Sequence, residues 1–293
     1  MSNPGHRSSR PADSLATIGN VRPLLPEDLA AATDLLEQAP IAHCFVAARI
    51  AQGGADPWRL GGELLGYFTG EGLQSFVYCG ANLVPVGTSP AARAALADRL
   101  RGARRCSSIL GLADEVLDLW RLLEPSWGPA REVRPRQLLM AIDHDPLIAA
   151  DPKVRLVQLA ELETLLPACV AMFTEEVGIA PTLGGQDGAY RARIAELIRA
   201  NRAFAHIEGG QVQFKAEVGA ATSTVCQVQG VWVPPALRGH GLSAPGMAAV
   251  VRLARSQIAP VVSLYVNDYN TAARKAYTAV GFQTVGTYAT VLF

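Results

Sequence analysis

Apolar positions recur along this chain at two periods, and their alternation divides it into two runs of similar order. In the first run, residues 21–25 read as a short strand and 26–38 as a helix opened by Pro26. A second helix covers 42–51. Strands follow near 63–68, 73–79 and 82–86, bounded by glycines and rich in β-branched and aromatic residues. Ser89-Pro90 caps a helix to about residue 101, a strand lies near 106–110, a helix near 113–123, and a last strand at 133–142. The chain then breaks at Ala149-Ala150-Asp151-Pro152. The second run has a strand at 154–158, a helix at 161–176 and another at 186–200. A hairpin over 203–207 and 211–218 turns at Gly209-Gly210. A strand at 224–233, a helix at 247–255, a strand at 262–267, a helix at 271–280 and a final apolar stretch from Phe282 complete it. Both runs are α/β in class, with mixed, mainly antiparallel sheets flanked by helices.

Two segments of the second run carry candidate chemistry. The strand ending at Val231-Trp232-Val233 stops at Pro234-Pro235, which cannot donate to a ladder. A loop follows, Arg238-Gly239-His240-Gly241-Leu242-Ser243-Ala244, and then a helix. The first amides of a helix are unpaired and its N-terminus is positive, so this turn suits an anion, with Gly239 and Gly241 allowing close approach. In the next segment a strand leads into Asp268-Tyr269-Asn270. Asn270 suits an N-cap, Thr271 to Val280 a helix, and Gly281 a left-handed C-cap.

Together these segments resemble the GNAT acetyltransferase superfamily. The loop is similar to the family's pyrophosphate motif, R/Q-x-x-G-x-G/A, with Ser243 in place of the last small residue. Asn270, Ala273-Arg274, Tyr277 and Gly281-Phe282 are similar to its second motif. The resemblance implies a splayed, often bulged strand end at Val231, Trp232 and Val233, whose backbone holds the pantetheine arm of acetyl-coenzyme A. It implies that amides from Arg238 to Ala244 take the pyrophosphate, with Asn270 and Arg274 also on the coenzyme side. Tyr277 is implied to be the general acid that protonates the departing thiolate. The arrangement looks like a tandem GNAT protein, divided into a disordered tail (1–14), a degenerate N-terminal domain (15–150) and a catalytic domain (151–293). The N-terminal run has no Arg-x-x-Gly-x-Gly, and Pro90 removes one amide an anion would need.

The general base and the acceptor amine are less defined. Glu217 is a candidate base, with Lys215 two residues earlier on the same face; the alternative is an ion pair between them. Glu175-Glu176 close a helix, where carboxylates oppose the dipole, and so suggest a site for a cationic amine or a solvated acidic end. Tyr190 and Arg191 lie in the segment that lines GNAT acceptor sites.

Composition adds bounds. The 293 residues carry no formal net charge, which gives no electrostatic case for nucleic acid or membrane partners. Five scattered cysteines lack metal-ligand spacing, and the polar N-terminus lacks the apolar core of a secretory signal, so a cytoplasmic protein without a metal is expected. The expectation is an acetyl-coenzyme A-dependent N-acetyltransferase acting by direct transfer to a small-molecule, peptide or protein amine, as a monomer or homodimer. The alternative is a non-catalytic acyl-coenzyme A sensor. ATP binding is disfavoured, because no Gly-Lys-Ser/Thr follows the loop.

Overall fold

The computed structural model describes residues 19–293 apart from Gln186; the expected tail at 1–14 lies outside the described residues. In the N-terminal half the order is β1 (Asn20–Pro23), α1 (Leu29–Glu37), α2 (Cys44–Gly53), α3 (Pro57–Leu60), β2 (Gly62–Thr69), β3 (Gly72–Gly80), β4 (Asn82–Val86), α4 (Pro90–Leu100), β5 (Ser108–Leu112), α5 (Ala113–Trp127) and β6 (Glu132–Ile142). The C-terminal half continues with β7 (Arg155–Leu156), α6 (Leu162–Val177), α7 (Asp187–Arg199), β8 (Ala203–Glu208), β9 (Gln211–Ala221), β10 (Val225–Trp232), α8 (Ser243–Gln257), β11 (Val261–Asn267), α9 (Thr271–Val280) and β12 (Gln283–Leu292).

The periodicity located these elements apart from the short helix α3, and two of the boundaries differ instructively. Helix α8 starts at Ser243, four residues before the apolar run, because Pro245 falls in its first turn, where a missing N–H costs nothing. Helix α5 runs through Pro125 to Trp127, since a proline in the last turn removes one hydrogen bond without ending the helix.

The halves do not form two separate sheets. One 12-stranded sheet has the order β1-β2-β3-β4-β5-β12-β6-β11-β10-β9-β8-β7. The last strand of each half is exchanged: β6 lies antiparallel between β11 and β12, and β12 lies antiparallel between β5 and β6. Helix α2 crosses in the same direction, burying Cys44 and Ala48 against Ala220 and Val225. The Cys44 thiol donates to the Val225 carbonyl at 3.4 Å. Tyr288 on β12 donates its hydroxyl to the Ala42 carbonyl.

This exchange predicts the behaviour of a fragment. Residues 151–293 alone would lack β6, leaving facing edges of β11 and β12 unpaired and apolar. We expect the full chain to unfold in one cooperative thermal transition and the fragment to show none, with circular dichroism as the readout.

Candidate active site

Strands β10 and β11 run parallel but pair only at Val225–Val261, Cys226–Val262 and Gln227–Ser263. Beyond that point β11 stays with β6 as far as Asn267, while β10 stays with β9 and the two diverge. A bulge sharpens the split. Gln229 opposes Glu217, but the next partner is Trp232 opposite Lys215, so Gly230 and Val231 stand out of register. Gly230 has φ +60°, and a Cβ there would lie 3.0 Å from Met172 Cε and 3.1 Å from Glu217 Cδ, so only glycine fits. The result is a wedge whose inner walls carry backbone groups without ladder partners.

The loop expected to bind an anion follows directly on the splayed end of β10 and leads into α8. After a 3-10 turn at Pro235–Leu237, Gly239 and Gly241 take φ values of +82° and +77°. Among the described residues, none of the amides of Gly239, His240, Gly241, Leu242, Ser243 and Ala244 donates to a protein acceptor. They stand at the N-terminus of α8, a 15-residue helix whose dipole adds to their pull on an anion. Behind them Gly246 lies against β9: a Cβ there would come within 2.7 Å of Phe214, so its lack of a side chain sets how close the helix approaches the sheet. Arg238 does not point into the loop. Its Nε donates to the Val233 carbonyl at 3.0 Å and its Nη2 to Glu175 Oε2 at 2.6 Å, while Trp232 Nε1 donates to Glu175 Oε1 at 3.3 Å.

Gly241→Val follows as a test of the loop. A side chain at this φ costs about 1–2 kcal/mol in the backbone, and the methyls would stand where a ligand approaches. Melting temperature should fall by a few degrees, and coenzyme A affinity, read by calorimetry, by at least about tenfold.

Tyr277 projects from α9 and is 7% exposed. Its ring packs on Phe282 with centroids 5.9 Å apart. The hydroxyl makes no hydrogen bond among the described residues. Burial pushes the phenol well above its ordinary pKa, and the nearby Glu176 charge adds to the rise, so at neutral pH it holds its proton. Asn270 caps α9 by accepting from Ala273 N–H at 3.1 Å. Arg274 donates through Nη1 to the Asp268 carbonyl at 2.7 Å, and its buried Nε has no partner among the described residues.

On the acceptor side, Glu217 is an ion-pair partner. It accepts from Lys215 Nζ at 3.2 Å and from Gln229 Nε2 at 3.0 Å, and Lys215 also reaches Cys169 Sγ at 3.4 Å. Lys215 is 1% exposed. Burial works most strongly against its charge, but Glu217 and Cys169 together outweigh it and the net shift of its pKa is upward. Glu175 is engaged with Trp232 and Arg238, as above. Tyr190 donates to the Cys169 carbonyl at 3.1 Å and meets the Phe173 ring edge-on, beneath α6. Arg191 is not at the cleft: its Nε pairs with Glu163 at 2.9 Å, in the first turn of α6. Glu175 lies about 18 Å further along the helix axis. The sequence order suggested the acceptor segment, but α7 turns this one side chain outward.

Glu176 is different. It is exposed at the helix end. Burial raises its pKa; Arg134 and Lys215 oppose the rise, and Glu217 adds to it. The carboxyl accepts no hydrogen bond among the described residues.

The equivalent place in the N-terminal half is filled. β4 and β5 are parallel and also pair only briefly, at Asn82–Ser108 and Leu83–Ile109. There Glu115 Oε2 accepts from Thr88 N–H at 2.9 Å and Thr88 Oγ1 at 2.6 Å, and Arg93 pairs with Asp118 at 2.6 Å while donating to the Thr88 carbonyl. The chain's own carboxylate takes the amide at the end of β4. Nothing in the sequence motif singles out Glu115; only the fold brings α5 against Thr88.

No helix among the described residues is long and apolar enough to cross a membrane, and no cluster of His, Cys, Asp and Glu among them could hold a metal ion. Residues 62–165 match the domain of unknown function DUF4081, and residues 188–282 match the acetyltransferase (GNAT) family. No curated protein matches the chain. Three solved structures are alike in fold. An acetyltransferase of the GNAT family from Colwellia psychrerythraea has TM-score 0.54 and 12% identity over 94% of this chain and 99% of that one. A tandem GNAT protein from the clavulanic acid biosynthesis pathway has TM-score 0.51 and 14% identity over 94% and 98%. A GCN5-related N-acetyltransferase from Sphaerobacter thermophilus has TM-score 0.51 and 17% identity over 94% and 96%. Residues 188–282 thus match the GNAT family and residues 62–165 match DUF4081, while the chain as a whole shares the fold of these three solved structures.

Proposed function

We propose that this protein is an acetyl-coenzyme A-dependent N-acetyltransferase that transfers the acetyl group directly to a primary amine in a ternary complex. One observation supports this reading above the others: Val231 and Val233 of the bulged strand, Leu242 and Ala244 of the loop with unbonded amides, and the buried Tyr277 belong to one apolar cluster. In this reading the amides of Gly239 to Ala244 and the α8 dipole bind the diphosphate, and Arg238 holds the loop through Val233 and Glu175. Backbone groups of Val231, Trp232 and Val233 bind the pantetheine arm, with Asn270 and Arg274 along its path. The attack needs the amine and the thioester held together, charge on the carbonyl oxygen stabilised, and a proton delivered to sulfur. Tyr277 supplies that proton. The ion pair of Lys215 and Glu217 fixes the cleft floor, and Glu175, Glu176 and Tyr190 form its helical wall. The N-terminal half, with its anion place filled by Glu115, takes no coenzyme and shapes the acceptor cleft through β6. All five cysteines are free, which suits the reducing cytoplasm.

The test is a screen of amines, lysine peptides and protein N-termini with thiol release from acetyl-coenzyme A as readout. Turnover that needs both an acceptor and Tyr277 supports the enzyme. Tight coenzyme binding without turnover on any acceptor would instead favour a sensor.

A further inference from the structure

Helix α9 presents two faces. Ala273, Tyr277 and Val280 pack into the C-terminal core. Thr271, Arg274, Lys275 and Thr278 recur at the complementary helical spacing and line a groove of about 580 Å³ on the other side. Its floor is Leu138 and Met140 of β6, the strand delivered by the N-terminal half, and Thr284 of β12 closes it. Leu138 pairs with Val266 near the end of β11, and Met140 pairs with both Leu264 and Thr284, so the floor runs from the start of α9 toward its end. From Thr271 to Ala279 the helical wall is about 12 Å long. No carboxylate among the described residues lines the groove. Arg274 gives Nη1 to the Asp268 carbonyl, and its buried Nε has no partner among the described residues. Lys275 is exposed beside it, and neither cation has an ion-pair partner among the described residues.

We propose that this groove binds an organic carboxylate with an apolar tail, at a site separate from the coenzyme wedge. Two positive charges facing no negative one make an anion its electrostatic complement. Small-molecule sites have volumes of this order and combine an apolar lining with a few convergent polar groups. The head sits between Arg274 and Lys275, where the guanidinium fork matches a carboxylate and the hydroxyls of Thr271 and Thr278 add donors. The tail lies over Leu138 and Met140 toward Ala279 and Thr284, taking apolar surface out of water. A bare anion leaves that floor wet, and a neutral alcohol leaves two cations unpaired, so both parts of the ligand are needed. The acetyl-transfer reading places Arg274 beside the coenzyme arm, but none of the loop residues Gly239 to Ala244 lines this groove, and Lys275 belongs to it alone. The floor comes from one half of the chain and the walls from the other, so an occupant also braces the exchanged strand.

The experiment uses the full chain with methyl-labelled methionine and titrates octanoate as the probe, read by nuclear magnetic resonance. Met140 reports on the groove. Met172 reports on the wedge, since its Cε lies 3.0 Å from where a Cβ at Gly230 would stand. Octanoate should shift the Met140 methyl resonance, saturating as one site with Kd below about 1 mM, and leave Met172 in place. Octanol and inorganic phosphate should each bind at least about tenfold more weakly. Lys275→Glu should weaken octanoate binding by at least about tenfold. Ala279→Trp, which fills the groove from an exposed position, should abolish it. An unmoved Met140 resonance overturns the proposal. So does octanol or phosphate that binds as well as octanoate, or octanoate binding that survives both variants. Coenzyme A titrated into the same sample should move Met172 and leave octanoate bound; displacement of octanoate overturns a separate groove. If coenzyme A moves no resonance, the acetyl-transfer reading falls instead, and the octanoate titration still decides the groove.

Discussion

Tyr277→Phe should lower kcat by about 10²–10³-fold while coenzyme A affinity stays within about twofold. Among the described residues the hydroxyl has no partner to lose, so the variant should fold normally and keep its ring contact with Phe282. What disappears is the proton that sulfur needs on leaving. Removal of an interaction made only in the transition state lowers kcat and kcat/KM together. The phenol's raised pKa fixes the sign with pH: in the wild type the acid form persists well above neutral pH, so an alkaline fall in rate belongs to its ionisation and should be absent in Tyr277→Phe. Steady-state thiol release across pH checks both. Unchanged kcat in the variant would remove Tyr277 from the chemistry.

Lys215→Met should cost about 3–5 kcal/mol of stability, because it strands the Glu217 carboxylate in a buried site with only Gln229 as donor. The double variant Lys215→Met, Glu217→Leu should regain most of that loss, since two apolar side chains of similar volume need no partner there. Folding raises the lysine's pKa, so the pair's contribution is fully present at neutral pH. It fades only as pH rises from the ordinary lysine value, about 10.4, through the folded one. Chemical denaturation of the two single variants and the double variant measures the coupling. A double variant no more stable than Lys215→Met would mean that the pair is not the stabilising unit.

Local chemistry made much of this molecule legible in its sequence. Gly239, Gly241 and Gly281 occupy left-handed positions that the turn and cap signals require, and Asn270 caps the helix it precedes. The loop and the phenol follow from residues close in sequence. Long-range placement was not legible. The alternation at 133–142 fits a strand in any sheet, and nothing in it says that its neighbours are β11 and β12. For the same reason Arg134 was invisible as a partner of α6: the carbonyl it bonds is 42 positions away and belongs to the other half. Glu217 and Lys215 were readable as a pair from their spacing, but their burial beside Cys169 depends on how α6 crosses β9. Arg191 misled because one helical residue can face either side of its helix, and only α6 decides which. Glu115 shows the reverse case: a carboxylate with no motif takes the very amide that a ligand would have used.

The central claim is a single coenzyme site in the C-terminal wedge. Isothermal titration of acetyl-coenzyme A into the full chain tests it most directly. One molecule should bind per chain, with micromolar affinity, about −8 kcal/mol, and Gly241→Val should weaken that site alone. No measurable heat of binding, or two equivalent sites per chain, would contradict it.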